Sequence, residues 1–117
     1  MKIALAQIKV VAGDPDSNFK KIEEYVRKAY DKGADIVAFP EMCVGGYLVG
    51  DLWTSEDWCC RLMSFNKKIQ ELSKVYNIGI IYGNVFQPEK DILTKEGKSI
   101  SNFDGRKIKL NAAYAFQ

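Results

Sequence analysis

The sequence predicts an α/β fold built on a largely parallel sheet. Three observations predict it. Short apolar runs at residues 2–8, 35–39 and 78–83 have the length and punctuation of buried strands. Two longer stretches between them carry apolar residues at helical spacing, with charged residues on the opposite face. The resulting order, strand, helix, strand, loop, helix, strand, is the alternation that packs helices on a sheet. Right-handed crossovers then place the first three strands parallel.

The run 2–8 opens the chain as a strand expected to be buried on both faces, with Val10 and Val11 as candidates to extend it. Gly13-Asp14-Pro15-Asp16 breaks the pattern as a turn. Asp16 or Ser17 is expected to cap a helix running to about residue 32. Phe19, Ile22, Val26 and Ala29 would face inward, and Glu23, Glu24, Arg27 and Lys28 outward. Gly33 is a natural helix stop. Residues 35–39 follow as a second buried strand, ended by Pro40. Residues 40–54 show no period. They hold Gly45, Gly46, Gly50, Tyr47 and Trp53, and read as a loop.

Ser55 offers a second cap, with Glu56 and Asp57 in the first turn where the helix dipole favours them. Trp58, Leu62, Phe65, Ile69, Leu72 and Tyr76 form one apolar stripe, so this helix should end near Asn77. Residues 78–83 read as a third strand with an extension towards Phe86. The polar stretch from 87 to about 110, with Pro88, Gly97 and Gly105, is long for a connection and reads as a surface excursion or a hairpin. Residues 111–116 form a last strand.

Composition narrows the function. The chain of 117 residues has the length of one ordinary domain or part of a larger one. At 47% hydrophobic and 27% charged it is expected to pack a core. With 17 basic and 15 acidic residues, net +2, it has no strong field, and its basic residues are scattered. Lys67-Lys68 and residues 106–109 are the densest groups and read as solvated faces, so no nucleic-acid partner is expected. The N-terminal apolar run is too short for a signal-peptide core, and no segment is long enough to span a bilayer. No membrane partner is expected.

Histidine is absent, which excludes a serine–histidine mechanism within this chain, and no metal-ligand spacing appears. No metal site is expected. Cys43, Cys59 and Cys60 make a poor disulfide framework, being odd in number with two adjacent. All three read as small buried hydrophobes. Reduced thiols point to a cytoplasmic protein.

Ligands of open α/β sheets collect at the carboxyl ends of strands. Glu41 lies there, directly behind the second strand and Pro40. A carboxylate held beside apolar walls would be poorly solvated, which suits a general base. On the residue pattern alone, a helix start or a solvent-facing side chain is the commoner reading of such a glutamate.

Several segments extend this reading. They are the run Lys2-Ile3-Ala4-Leu5-Ala6-Gln7-Ile8, then Gly13-Asp14 with Asn18, then Gly33-Ala34-Asp35-Ile36-Val37-Ala38-Phe39-Pro40-Glu41. Gly46-Tyr47, Asp51-Leu52, Tyr82-Gly83-Asn84 and Asn111-Ala112-Ala113-Tyr114 complete the series. In this order they resemble the nitrilase superfamily of carbon–nitrogen hydrolases. They look most like the glutaminase domain of glutamine-dependent NAD synthetases. The resemblance covers nearly the whole chain apart from about 88–109, and its Phe-Pro-Glu segment is fairly specific.

The resemblance implies the N-terminal part of an αββα sandwich, with residues 1–117 an incomplete glutamine amidotransferase domain. Half a sandwich would leave an apolar sheet face uncovered. The family uses a glutamate, a lysine and a cysteine. The glutamate activates the thiol, the thiolate attacks an amide or nitrile carbon, and the lysine stabilises the charge that develops. Glu41 takes the glutamate role by its place in the motif. Tyr47 is implied to lie near the substrate pocket, although it also reads as an aromatic that pins the loop. Where the family often has a hydroxyl residue, this chain has Gly45.

The family's lysine and cysteine follow the strand resembling 111–116, so both are expected beyond Gln117. Lys107 and Lys109 precede that strand and are not assigned the role. The implied substrate is glutamine. The implied partners are a C-terminal synthetase domain using ATP and Mg2+ to amidate deamido-NAD, and further copies in a homo-oligomer. No cofactor is implied for residues 1–117 themselves. A stand-alone amidase or nitrilase and a non-catalytic assembly module are the alternatives. A flavodoxin-like domain fits less well, because no phosphate loop follows the first strand.

Overall fold

Why a sheet forms at all is plain from the register. In the computed structural model, β1 (Ile3–Leu5), β2 (Ile36–Ala38) and β3 (Gly79–Phe86) pair in parallel, setting Ala4, Val37 and Ile80 in one row. The structure describes residues 1–89, 92–93, 95–96, 99–100 and 106–117, the pairs 92–93 and 99–100 by backbone alone. The last strand, Leu110–Phe116, runs antiparallel to β3 along its length, from Ile80↔Phe116 to Phe86↔Leu110. It is β6 in chain order. Between β3 and β6, β4 (Ile92–Leu93) and β5 (Ser99–Ile100) pair antiparallel, so the polar excursion contains a hairpin. Gly97 and Gly105 of that stretch lie outside the described residues.

Both helices cover the same face of the four-stranded sheet. α1 (Pro15–Asp31) starts two or three residues earlier than the sequence predicts, because Asp14 caps it in place of Asp16 or Ser17: its carboxylate accepts from Ser17 N at 3.0 Å. Pro15 then fills the first position, where the missing N–H costs nothing. α2 (Glu56–Tyr76) begins at the expected cap, with Trp58 N donating to Ser55 Oγ at 3.2 Å, and ends where Asn77 turns left-handed at φ 48°. The helices touch through Phe19 on Phe65 and Tyr30 on Tyr76, ring centroids 5.6 and 5.4 Å apart. Ile22, Val26, Leu62 and Ile69 bury completely against Val37 and Ile80.

The opposite sheet face is open. Leu5, Ala38, Ile81 and Ala115 share a row there, and Ile3, Leu5 and Ile81 are 51%, 79% and 40% exposed. This corrects the expectation for the first strand. β1 has three residues rather than seven, and as an edge strand with helices on one side only it is not buried on both faces.

No helix among the described residues is long and apolar enough to cross a membrane.

Candidate active site

Past Ala38 the chain crosses over β3 rather than leaving the sheet. Phe39 N donates to Ile81 O at 2.8 Å, Gly83 N to Pro40 O at 3.3 Å and Cys43 N to Gly83 O at 3.0 Å. Residues 40–43 therefore lie flat on β3, and only a glycine permits it. A Cβ on Gly83 would stand 2.5 Å from Met42 N and 2.7 Å from Glu41 Cα. Met42 is held at φ 47°, a left-handed conformation that costs a side-chain-bearing residue roughly 1–2 kcal/mol.

From the other side, buried Asn18 clamps the loop. Its Nδ2 donates to Val11 O at 2.7 Å and Val44 O at 2.9 Å, and its Oδ1 accepts from Val11 N at 2.8 Å. Gly13 N adds a bond to Gly45 O at 2.9 Å. Gly46, at φ 77°, rests on Ala12, where a Cβ would come within 2.6 Å of the Ala12 backbone. The Gly45 departure has a cause in packing: a Cβ there would meet Leu62 Cδ1 at 2.6 Å.

This scaffold sets Glu41 at the carboxyl end of β2, as predicted from the sequence. Its solvation follows the solvent-facing reading and not that of a carboxylate among apolar walls. The side chain is exposed rather than walled in by apolar groups, and polar neighbours hold it instead. Tyr47 Oη donates to Glu41 Oε1 at 3.0 Å. Asn111 Nδ2 donates to the same Oε1 and to Tyr47 Oη, the latter at 3.1 Å. Trp53 Nε1 donates to Tyr47 O at 3.0 Å and so fixes the tyrosine's backbone.

Glu41 edges a hollow of about 360 Å3 against the open sheet face, lined also by Phe39, Ile81, Gly83, Asn111 and Ala113. A second hollow of about 200 Å3 is lined by Met42, Tyr47, Trp53, Val85, Lys109 and Asn111. Asn111 is common to both. The hydrogen bond to Glu41 raises the Tyr47 phenol above its ordinary value, the carboxylate's charge adds to this, and Asn111 partly offsets it.

Sequence reasoning chose Glu41 and Tyr47, and the fold brings them together. Asn111 was read as the start of a strand and of one of the resembling segments, with no role in the site. Its signal was a polar residue heading an otherwise apolar run, but its closeness to Glu41 depends on the Val85↔Asn111 register. Lys107 pairs with Glu56 at 3.5 Å, while Lys109 reaches the second hollow. Among the described residues no three His, Cys, Asp or Glu side chains converge as a metal site requires.

Cys43 and Cys59 are buried, as read from the sequence, but Cys60 is exposed on α2, because its neighbour Cys59 takes the inward-facing position. None of the three lines either hollow. Burial pushes the Cys43 thiol up to about 12, against smaller lowering contributions from the backbone of Gly83 and of Cys43 itself. Burial likewise raises the phenols of Tyr82 and Tyr114.

These groups hold their protons more tightly folded than unfolded. Stability is therefore complete below the ordinary thiol value of 9.0 and falls as pH climbs towards 12. Cys43 alone contributes a slope of about 1.4 kcal/mol per pH unit in that window. Denaturant titrations between these pH values should show a shallower fall for Cys43→Ala, and equal slopes for both chains would contradict it.

Similarity to known proteins agrees with this architecture. The carbon-nitrogen hydrolase family profile matches residues 2–117. Glutamine-dependent NAD(+) synthetase of Acinetobacter baylyi is 36% identical over 89 residues, covering 76% of this chain and 16% of that protein. A nitrilase of Meyerozyma guilliermondii is 30% identical over 94 residues, covering 71% of this chain and 29% of that protein.

Among solved structures, glutamine-dependent NAD+ synthetase from Acinetobacter baumannii superposes with a TM-score of 0.69 at 29% identity, over 98% of this chain and 18% of that one. An amidase from Nesterenkonia sp. superposes with a TM-score of 0.68 at 18% identity, over 86% of this chain and 41% of that one, which is a likeness of fold alone. The chain spans under a third of the length of these two curated relatives. The α/β fold read from the sequence is thus the fold of nitrilase-superfamily structures, and the chain belongs to the carbon–nitrogen hydrolase family.

Proposed function

We propose that this chain supplies the general base, Glu41, and a substrate-contacting tyrosine, Tyr47, to a site that hydrolyses the side-chain amide of glutamine. The observation that carries the reading is the Glu41 carboxylate, held by Tyr47 and Asn111 beside a hollow at the carboxyl end of β2. Glu41 would take the proton of a cysteine thiol contributed from beyond residue 117. The thiolate would attack the amide carbon, and Glu41 would return its proton to the nitrogen, so that the C–N bond breaks, ammonia leaves and a thioester remains. Water then cleaves the thioester to glutamate and restores the thiol. Tyr47, 56% exposed, is among the residues that line the second hollow, where an amide side chain would lie.

The relatives named as glutamine-dependent NAD+ synthetases support glutamine as substrate; the ammonia would then serve a C-terminal synthetase domain that uses ATP and Mg2+ to amidate deamido-NAD, as the resemblance implies. Three free thiols suit a cytoplasmic setting. Similarity to a nitrilase supports a second reading, a stand-alone amidase or nitrilase acting on another amide or nitrile.

Ammonia release tests both. The 117-residue chain by itself should release none above buffer, because none of its three thiols, exposed Cys60 included, lines either hollow. A polypeptide extended by the coding sequence that follows residue 117 should release ammonia from glutamine. Glu41-dependent turnover by the short chain would refute the missing-nucleophile argument. Turnover of simple amides but not glutamine by the longer one would favour the second reading.

A further inference from the structure

We infer that Asn111 is a positioning residue that, together with Tyr47, fixes the Glu41 carboxylate and reserves its Oε2 for the proton that the base accepts. The inference rests on the general-base reading of Glu41 above and adds a residue to it.

The geometry is asymmetric. The bonds from Tyr47 Oη and Asn111 Nδ2 both end on Oε1. Asn111 Nδ2 also donates to Tyr47 Oη, which closes a three-membered ring of hydrogen bonds. An exposed glutamate normally samples several rotamers, and a base that must meet a thiol loses rate with each unproductive one. Two donors on one oxygen remove that freedom and orient the other oxygen.

The donors come from unrelated parts of the chain. Tyr47 is carried by the glycine loop after β2, and Asn111 by β6, whose register on β3 is set over seven residue pairs. Asn111 therefore couples the base to the far side of the sheet. It is also common to both hollows, so it stands where the base and the substrate's amide would meet.

Nuclear magnetic resonance of the side-chain amide of Asn111 decides the contact in the chain as it stands. Its signal should shift as Glu41 titrates and should lose that shift in Glu41→Gln. In Asn111→Ala the Tyr47 phenol should titrate higher still, because the donor that offsets the carboxylate is gone. In a longer polypeptide that releases ammonia, Asn111→Ala should lower kcat by about 10- to 100-fold while KM stays within about threefold, as expected when orientation rather than binding is lost. The exposed position makes unfolding of this variant unexpected, and circular dichroism checks it.

An amide signal indifferent to Glu41, or an unchanged kcat in Asn111→Ala, overturns the positioning role. If the amide signal follows Glu41 but Glu41→Gln leaves hydrolysis intact, the general-base reading fails instead, and the hydrogen-bonded contact stands without a catalytic purpose.

Discussion

Glu41→Gln should lower amide hydrolysis by about 10²- to 10⁴-fold in a polypeptide that carries the complete site, the range that a positioned general base contributes. The substitution keeps the length and shape of the side chain. Its amide oxygen can still accept from Tyr47 Oη, which donates to Glu41 Oε1 at 3.0 Å. What disappears is the capacity to take a proton. The side chain is exposed and lies outside the buried core, so the change in stability should stay within about 0.5 kcal/mol. Loss of rate with unchanged stability separates a chemical role from a structural one. Single-turnover rates of ammonia release, measured beside a denaturant titration, give both quantities. Activity within about threefold of the parent would remove Glu41 from the mechanism.

Gly83→Ala should damage the same site by a different route. Its methyl group would sit 2.5 Å from Met42 N and 2.7 Å from Glu41 Cα, both backbone atoms that no rotamer change relieves. The loop is tied to β3 on both sides of that point, by Gly83 N to Pro40 O and by Cys43 N to Gly83 O. Relief therefore requires the segment carrying Glu41 to lift by close to an ångström. Overpacking of this kind costs typically ~1–3 kcal/mol, and a 1 Å displacement of a reacting group costs about 10²-fold in rate.

Gly79→Ala is the natural control. The nearest atom to its Cβ is Ile36 Cγ1 at 3.1 Å, a side-chain carbon that can yield. Thermal unfolding should show a clear drop for Gly83→Ala and a small one for Gly79→Ala. Comparable Tm values for the two would mean the loop does not press on β3 as described.

Much of the fold was legible because its causes are local. The stripe from Trp58 to Tyr76, the Ser55 cap and the short run 35–39 each announce themselves within one window of sequence. The misses have a common origin. β1 was expected to be buried because its residues are apolar, yet burial depends on what covers a strand. Among the described residues, only one face of this sheet carries helices. Asp14 caps α1 where Asp16 or Ser17 was expected, because several acceptors lay within reach and Pro15 favours the first helical position.

The segment Tyr82-Gly83-Asn84 shows how a motif is visible before its reason is. Tyr82 and Asn84 face α2, where both meet Asn66 Oδ1, at 2.7 and 2.9 Å. Gly83 faces the opposite way and makes room for the loop. Alternation along a strand imposes that division, but which neighbour occupies each side is invisible in the strand itself.

Read alone, the sequence established the α/β class, the two helices and a glutamate behind the second strand, since each follows from spacing or from one residue's neighbours in the chain. It did not reveal Asn111, sixty-four residues beyond Tyr47 and brought to it by strand register. Nor did it reveal that Glu41, exposed at its strand end, is held by two hydrogen-bond donors. Contacts between distant segments arise only once the sheet is assembled, because a side chain's solvation and partners belong to the folded surface around it.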